Sequence, residues 1–165
     1  METFIKKLCS RYKVSEADVQ SLLDCMEEVH FKKRELIVRE GTKNSNLYFI
    51  RNGIWRAYYH KDGEETTIWF ASDGEAAFSV WGYVDNAYSL VNIQAMCDSV
   101  AYCIPRAALN QLFSSSIGLA NLGLRLMDHQ FLQQENWLIN SGSPRAKERY
   151  LNLIKETPEL LQYVP

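Results

Sequence analysis

The first part of the chain places apolar side chains at helical spacing. Phe4, Ile5 and Leu8 recur on one face of a first helix. Ser15 then has the character of an N-cap, and Asp18 follows three residues later in a capping-box arrangement. The buried stripe of this second helix is predicted to consist of Val19, Leu22, Leu23 and Met26. The pattern therefore predicts two short helices before the main body of the chain.

From Phe31 to Ile104 the pattern changes to short runs of β-branched and aromatic residues separated by turn signals. The runs begin at Leu36, Leu47, Ile54, Thr66, Leu90 and Val100. Three of them end at Asn52-Gly53, Asp62-Gly63 and Asp73-Gly74, which are pairs that accept positive φ and favour tight hairpins. Six or more such runs at this spacing predict a β-sandwich or a barrel-like roll.

After Pro105 the pattern becomes helical again. Pro105 suits the first position of a short helix, whose buried face is predicted to be Leu109, Leu112 and Phe113. A long helix should follow from about Ile117 to Ile139. Ser143 and Pro144 then supply a cap and a first helical position for another helix, and Thr157-Pro158 repeats that signal near the end.

The long helix carries two apolar stripes. The first follows alternating three- and four-residue steps, which is the pattern of a coiled-coil seam: Ile117, Ala120, Leu124, Met127, Phe131, Gln134 and Leu138. The second stripe, on another face, consists of Leu119, Leu122 and Leu126. A helix on a globular domain needs only one stripe, so two stripes favour two partners, the β-roll and a second copy of the chain. The alternative is a helix buried within one domain.

Composition and net charge leave the predicted fold unchanged, but they narrow the classes of function. The chain has 165 residues and a formal net charge of −2, so DNA binding by this chain alone is not favoured. Its four cysteines form no C-x-x-C pair, which favours reduced, mostly buried thiols over a zinc or thioredoxin-type site. Lysines and arginines interrupt the N-terminal apolar residues, and no apolar run is long enough to span a bilayer. We therefore expect a cytoplasmic protein.

Candidate catalytic and metal chemistry is sparse. His30, His60 and His129 fall in three different predicted elements without an H-x-H pair, which does not favour a cupin-like metal enzyme. No nucleophile motif is present, and Cys9 and Cys25 alone do not supply an iron–sulfur cluster. His60 or His129 could serve as a haem ligand, but no motif in the sequence supports that role. The sequence thus identifies no cofactor and predicts no enzyme.

Several motifs occur together in a characteristic order: "EG…LYFIRNG", a "DGE" turn, a late "IQAMCDS" strand and the seam-bearing helix. Together they resemble the sensor half of the Crp/Fnr superfamily of bacterial transcription regulators, from roughly Phe31 through Pro165. The resemblance implies an α+β fold with an antiparallel, jelly-roll-like β-roll of the cyclic-nucleotide-binding-domain type. It also implies an effector pocket between the roll and the long helix, and a homodimer formed along that helix.

The resemblance divides the chain into three parts. Residues 1–116 would form the N-terminal helices and the sensor roll, 117–140 the dimerisation helix, and 141–165 a helical segment leading toward a DNA-binding domain. That segment, "SPRAKERYLNLIKETPELLQYVP", resembles the one preceding the family's winged helix-turn-helix. A recognition helix is absent from this chain, so DNA contact is expected only through a missing domain. The chain is then either a piece cut at the domain boundary or a natural stand-alone sensor.

The nucleotide-binding cassette implied by the resemblance is degenerate. Gly74 and Glu75 match its start, with Ala76 next, but the position of its phosphate-binding arginine falls on or near Ser89, beside Leu90. No Arg, Lys or His occurs between residues 72 and 95. Losing a buried phosphate partner costs about 2–5 kcal/mol, so tight binding of cyclic AMP is disfavoured and the effector stays unidentified.

Other residues are candidates for the pocket. Trp81, Tyr83 and Tyr88 would line a more apolar pocket, or serve only as core or lid residues. Glu75 without a ribose partner would be only a turn residue. Gln134, the polar residue of the seam, would face the pocket across a dimer or set the register of the two helices.

Two functional hypotheses of different class follow. The first is the effector-sensing and dimerisation domain of a transcription regulator. The second is a free-standing module that binds a small molecule or a protein and has no DNA-binding role. A helix-turn-helix encoded downstream of Pro165 would distinguish the first from the second.

Overall fold

Two helices begin the fold, as predicted. The computed structural model describes residues 1–141, 146–156 and 158, and its first helices are α1 (Glu2–Tyr12) and α2 (Glu16–Leu23). The Ser15 side chain accepts a hydrogen bond of 3.1 Å from the Asp18 backbone N–H, which confirms the predicted cap. Helix α2 ends at Leu23, earlier than predicted, although Met26 still packs against the same core.

Eight strands among the described residues form two antiparallel sheets, which confirms the predicted β-roll. The strands are β1 (Glu27–Phe31), β2 (Leu36–Val38), β3 (Asn46–Asn52), β4 (Trp55–Lys61), β5 (Glu64–Ala71), β6 (Ala76–Ala77), β7 (Asn92–Ala95) and β8 (Ser99–Pro105). One sheet has the order β1-β8-β3-β6, and the other has the order β2-β7-β4-β5. Strand β1 begins before the predicted β-region, and a short helix α3 (Val80–Asp85) follows β6.

Only one of the three predicted hairpin turns joins paired strands. Asp62 and Gly63 both have positive φ, 53° and 85°, and connect β4 to β5 in direct register. Asn52-Gly53 instead carries the chain from one sheet to the other, and Asp73-Gly74 does the same between β5 and β6. In each of these pairs only the glycine has positive φ, so the hairpin prediction was wrong there. Both pairs are crossovers between sheets.

The sheet that contains β3 is covered on both faces, which explains the uninterrupted apolar run in that strand. Leu47 and Phe49 belong to a core shared with the helices, whereas Tyr48 and Ile50 belong to the core between the two sheets. All four side chains are buried. A strand with two buried faces reads as a continuous hydrophobic run because neither side of the pleat meets water.

Three helices follow the roll: α4 (Arg106–Ser115), α5 (Ile117–Ser141) and α6 (Ala146–Glu156). Pro105 is the N-cap residue of α4 with an extended ψ of 144°, so it precedes the helix rather than beginning it as predicted. Helix α5 begins at Ile117 as predicted. The predicted cap at Ser143-Pro144, and Thr157, lie outside the described residues. No helix in the described part of the chain is long and apolar enough to cross a membrane.

The second stripe of α5 packs into the core shared with the N-terminal helices and the first sheet. Leu119, Leu122 and Leu126 are buried there beside Leu22 of α2 and Leu109 of α4. This contact fixes one face of α5 on the domain. It also sets the direction in which the C-terminal half of α5 runs past strands β5 and β6.

Candidate functional site

A cavity of about 440 Å³ lies between the C-terminal half of α5 and the β5–β6 part of the roll. Its aromatic lining residues are Trp69, Phe70, Phe78 and Trp137, and its carboxamides are Gln130, Gln133, Gln134 and Asn136. Its small and aliphatic lining residues are Ile68, Ala71, Ala76, Ala77, Val80 and Leu138. A concave site of this size with mixed aromatic and amide lining suits a small molecule.

The aromatic rings of the two walls meet. Phe70 on β5 and Trp137 on α5 lie with ring centroids 6.1 Å apart and an interplanar angle of 71°. Such an edge-to-face pair is a favourable arrangement and holds the end of α5 against the sheet. Apart from Trp137 and Leu138, the described lining of the α5 wall is polar but neutral, because it consists of side-chain amides.

Glu75 is the charged residue among the cavity's described lining residues, and its carboxylate is already satisfied by protein groups. One oxygen accepts hydrogen bonds from the Arg11 guanidinium, at 2.8 Å, and from the Gln133 amide. The other accepts one of 2.7 Å from the Ser72 backbone N–H. The side chain is only 13% exposed. Glu75 thus links α1, the β5–β6 turn and α5.

His129 lies next to this link. Its Nε2 is 3.5 Å from the Arg11 guanidinium, and its ring packs edge-on against Tyr12 at 5.5 Å. Burial and the neighbouring Arg11 charge lower the pKa of the His129 imidazole, while Glu75 opposes that effect. The other ring nitrogen, Nδ1, is buried and has no hydrogen-bond partner in the described structure. His129 is therefore neutral near pH 7 and packed among protein groups.

The other cassette residues at the β5–β6 turn are held by helices. Gly74 has a φ of 81°, and its carbonyl accepts a hydrogen bond of 3.3 Å from the Tyr12 hydroxyl. The Ala76 carbonyl accepts one of 3.4 Å from Gln130. Burial raises the pKa of the Tyr12 hydroxyl, so it stays a neutral donor. The turn is thereby fixed between α1 and α5.

Ser89, aligned with the expected arginine, is 1% exposed and lies inside the roll, away from the cavity lining. Its hydroxyl accepts a hydrogen bond from Ser79, at 2.9 Å, and donates one to the Val91 carbonyl, at 2.7 Å. Ser79 also caps α3 by accepting from the Gly82 backbone N–H at 3.3 Å. The hydroxyls of Ser79 and Ser89 are thus both paired with protein groups. Leu90 is exposed.

The three aromatic residues considered for the pocket do not line this cavity. Tyr83 is buried against Phe78, with the Arg106 guanidinium 4.2 Å above its ring. Trp81 is half-exposed on α3. Tyr88 is exposed, with the Lys43 ammonium 5.4 Å from its ring centre.

The structure instead brings Glu75, Ala76 and Gln134 together with residues that the sequence did not single out. Those residues include Trp69, Phe70, Gln130, Gln133 and Trp137. Part of this set had a sequence signal, because Gln134 belongs to the first stripe of α5, and Gln130, Gln133 and Trp137 continue the helical spacing of the second stripe beyond Leu126. No such signal in the sequence pointed to the lining residues of β5.

Most of the seam of α5 faces away from the domain, although Gln134 and Leu138 also line the cavity. Ile117, Leu124, Phe131 and Leu138 are between 65% and 83% exposed and repeat every seven residues. Ala120 and Met127 are half-buried, and Gln134 is exposed. Large apolar side chains in such a regular exposed row are unusual on a monomer and mark an interaction surface.

The histidines considered for haem lie apart. His60 is 3.3 Å from the Glu40 carboxylate on the second sheet, whereas His129 is on α5. Neither histidine is among the described residues that line the cavity beside α5. Within the described residues, no group of three or more His, Cys, Asp or Glu side chains is arranged to hold a metal ion.

A model of the cyclic nucleotide-binding domain matches residues 28–116, more than half of the chain. Among solved structures, a cyclic nucleotide-binding domain from Methylobacillus flagellatus is similar with a TM-score of 0.73 and 16% identity, over 87% of each chain. The Thermus thermophilus catabolite activator protein gives 0.65 and 15%, over 94% of this chain and 87% of that one. A cyclic di-GMP-responsive regulator of Xanthomonas campestris gives 0.63 and 16%, over 92% and 74%. No curated protein matches the sequence.

Proposed function

Because the chain belongs to the cyclic nucleotide-binding domain family, we propose that it is the effector-sensing and dimerisation domain of a Crp/Fnr-type transcription regulator. Its role is regulatory and not enzymatic, and its place of action is the cytoplasm. One observation carries the proposal: α5 supplies both a wall of the cavity and the exposed apolar seam. A ligand that contacts Gln134 or Trp137 therefore acts directly on the helix that forms the dimer interface.

The effector of this domain is not cyclic AMP bound in the usual way. The described lining of the cavity contains no cation, and its carboxylate already accepts four hydrogen bonds. A buried phosphate without a charged partner loses about 2–5 kcal/mol of affinity, or several decades. Titration with cyclic AMP and cyclic GMP, followed by calorimetry and thermal shift, should show neither heat nor stabilisation. Micromolar binding of either nucleotide would contradict this part of the proposal.

The dimer forms along the exposed seam of α5, with Phe131 and Leu124 as its central apolar contacts. Light scattering at micromolar concentration should give the mass of a dimer. Phe131→Glu places a charge in the seam and should give a monomer. Leu132→Glu is a matched control, because Leu132 is also largely exposed but points about 100° away from Phe131 around the helix. A monomeric wild-type protein, or equal effects of the two substitutions, would contradict the interface.

DNA contact in this proposal belongs to a further domain and not to the sensor. The net charge of −2 gives the chain no overall attraction for a phosphate backbone. The purified chain should therefore show no measurable binding to duplex DNA by fluorescence anisotropy at physiological salt. Binding with a steep salt dependence would instead favour a direct nucleic-acid role.

A further inference from the structure

We propose that the cavity between β5, β6 and α5 takes an uncharged, planar aromatic ligand that carries an amide-like hydrogen-bonding edge. This inference rests on the proposed function, since it names the class of effector for the same cavity. It follows from three properties of the lining: its charge, its rings and its unpaired carboxamides.

The described lining of the cavity offers no free positive charge, so it disfavours an anionic ligand. The charged group among the described lining residues is a carboxylate, Glu75, whose charge is already balanced by Arg11, so a negatively charged ligand would find no free cation in the described lining. The Arg11 guanidinium already donates to Glu75 at 2.8 Å and is not part of the described lining. Desolvating an anion in such a site costs decades of affinity.

The ion pair between Arg11 and Glu75 also disfavours a cationic ligand. Glu75 would attract a cation only if its charge were free, but it accepts from Arg11, Gln133 and the Ser72 backbone. A cationic ligand at Glu75 would also lie close to the Arg11 guanidinium. The described part of the site, with Glu75 paired to Arg11, therefore carries no net charge, and it favours a ligand that is neutral too.

The rings and amides define the shape and the polar edge of the ligand. Phe70 on β5 and Trp137 on α5 offer aromatic rings on both walls, and Trp69 also contributes to the lining, which suits a flat ring. Gln134 and Asn136 line the cavity, and neither side chain has a hydrogen bond within the described residues. Each carboxamide offers donors and an acceptor, so together they match a primary amide, a lactam or a similar edge.

A set of ligands that share one ring and differ in charge tests the proposal. The probes are indole-3-acetamide, indole-3-acetate and tryptamine, titrated by calorimetry and by saturation-transfer NMR at a pH of about 7.5, where the acetate is anionic and the amine cationic. The neutral amide should bind at least about tenfold more tightly than either charged relative, because only the charged forms need a partner that the lining lacks. Tightest binding of the acetate or the amine, or binding of none of the three, would overturn the ligand class.

Two substitutions locate the binding in the cavity. Trp137→Ala should weaken indole-3-acetamide at least about tenfold, and Gln134→Leu should weaken it about threefold or more, since one loses ring contact and the other a hydrogen bond. Gln134 is exposed, so its replacement leaves the core unchanged. Gln111→Leu on α4 is the control, because Gln111 is an exposed glutamine outside this cavity. Equal affinities in all three variants would contradict the site.

Light scattering of the same samples separates this inference from the proposed function. A dimer that binds none of the three probes removes the ligand class but leaves the effector and dimerisation proposal in place. A monomer that binds none of them removes both. A dimer that binds cyclic AMP more tightly than the amide overturns the neutral character of the site while keeping a sensor role.

Discussion

Arg11 and Glu75 are 64 residues apart in the sequence and form an ion pair of 2.8 Å. Their side chains are mostly buried, and Gln133 of α5 donates to the same carboxylate oxygen. Three elements therefore meet at one glutamate. In this structure Glu75 joins the first helix, the roll and the seam-bearing helix, which are the parts that would have to move together in a sensor.

Replacing Arg11 should destabilise the domain. Arg11→Met leaves a largely buried carboxylate without its charged partner, and loss of such a hydrogen bond costs about 1–3 kcal/mol. Urea denaturation measures the change. Lys6→Met is the control on the same helix, because Lys6 pairs with Glu2 on the surface, and exposed pairs contribute about 0–1 kcal/mol.

The double variant Arg11→Met/Glu75→Gln tests whether the two residues act as a pair. The uncharged amide that Glu75→Gln introduces needs no cation, so the combined loss should be smaller than the sum of the two single losses. Strictly additive losses would show that Arg11 stabilises α1 independently of Glu75.

An arginine introduced at Ser89 should not confer binding of cyclic AMP. Ser89→Arg places a large charged side chain where the native hydroxyl is 1% exposed and donates to the Val91 carbonyl. We expect a loss of at least about 2 kcal/mol in unfolding free energy, from overpacking and an unpaired charge. Leu90→Arg is the adjacent control, and because Leu90 is exposed its effect should be within about 0.5 kcal/mol. A stable Ser89→Arg protein that binds cyclic AMP would contradict this account.

Gly82 in α3 has a packing requirement that its backbone angles do not reveal. A Cβ at this position would overlap the backbone oxygen of Asn44, so Gly82→Ala forces α3 away from the roll. Overpacking costs about 1–3 kcal/mol and the better helix propensity of Ala returns about 1, so the net loss is about 0–2 kcal/mol, and we expect the upper end because the overlap is with backbone.

Thermal or urea unfolding of Gly82→Ala tests this expectation. Asp85→Ala in the same helix is the control, since Asp85 is exposed and its replacement removes no core contact. A Gly82→Ala protein as stable as the control would mean that α3 shifts without cost.

Stability should fall at mildly acidic pH because of His129. Burial and Arg11 hold its pKa below the usual 6.5, so the unfolded chain binds a proton that the folded protein resists. The unfolded state then carries more protons below about pH 6.5, and the free energy of unfolding decreases as the pH falls through that range. His129→Gln should flatten this part of the pH profile of the urea midpoint. Parallel profiles for wild type and variant between about pH 7 and pH 5 would contradict the assignment.

Local signals predicted much of the fold. The Ser15 cap, the Asp62-Gly63 hairpin and the start of α5 at Ile117 each depend on a few neighbouring residues, and the structure confirms all three. Strand β1 was not predicted from the sequence, because its side chains do not form a buried face through regular alternation. The two glycine turns at Gly53 and Gly74 had the composition of hairpins, but their strands belong to different sheets. Sheet membership depends on long-range packing, which dipeptide chemistry does not encode.

The cavity was harder to predict than the fold. Gln134 and Glu75 were singled out from the sequence, but Phe70 and Trp69 come from a strand whose contact with α5 has no local signal. Arg11 was the residue of this region that the sequence could least predict. It lies on a helix that the cassette pattern does not include, and only the packing of α1 against the turn brings it to Glu75. Residues 72–95 contain no cation, and the one that pairs with their glutamate comes from α1.

The pairing of β1 with β8 has a consequence for how this chain is made. Glu27 lies opposite Cys103, so the first strand of its sheet cannot find its neighbour until almost the whole roll has been synthesised. At typical elongation rates of about 5–20 residues per second, β1 emerges from the ribosome several seconds before β8. During that interval its backbone donors and acceptors have only water or another chain as partners, and the edge of β3 stays open as well. The nascent protein is therefore most vulnerable to aggregation just before residue 105 becomes available.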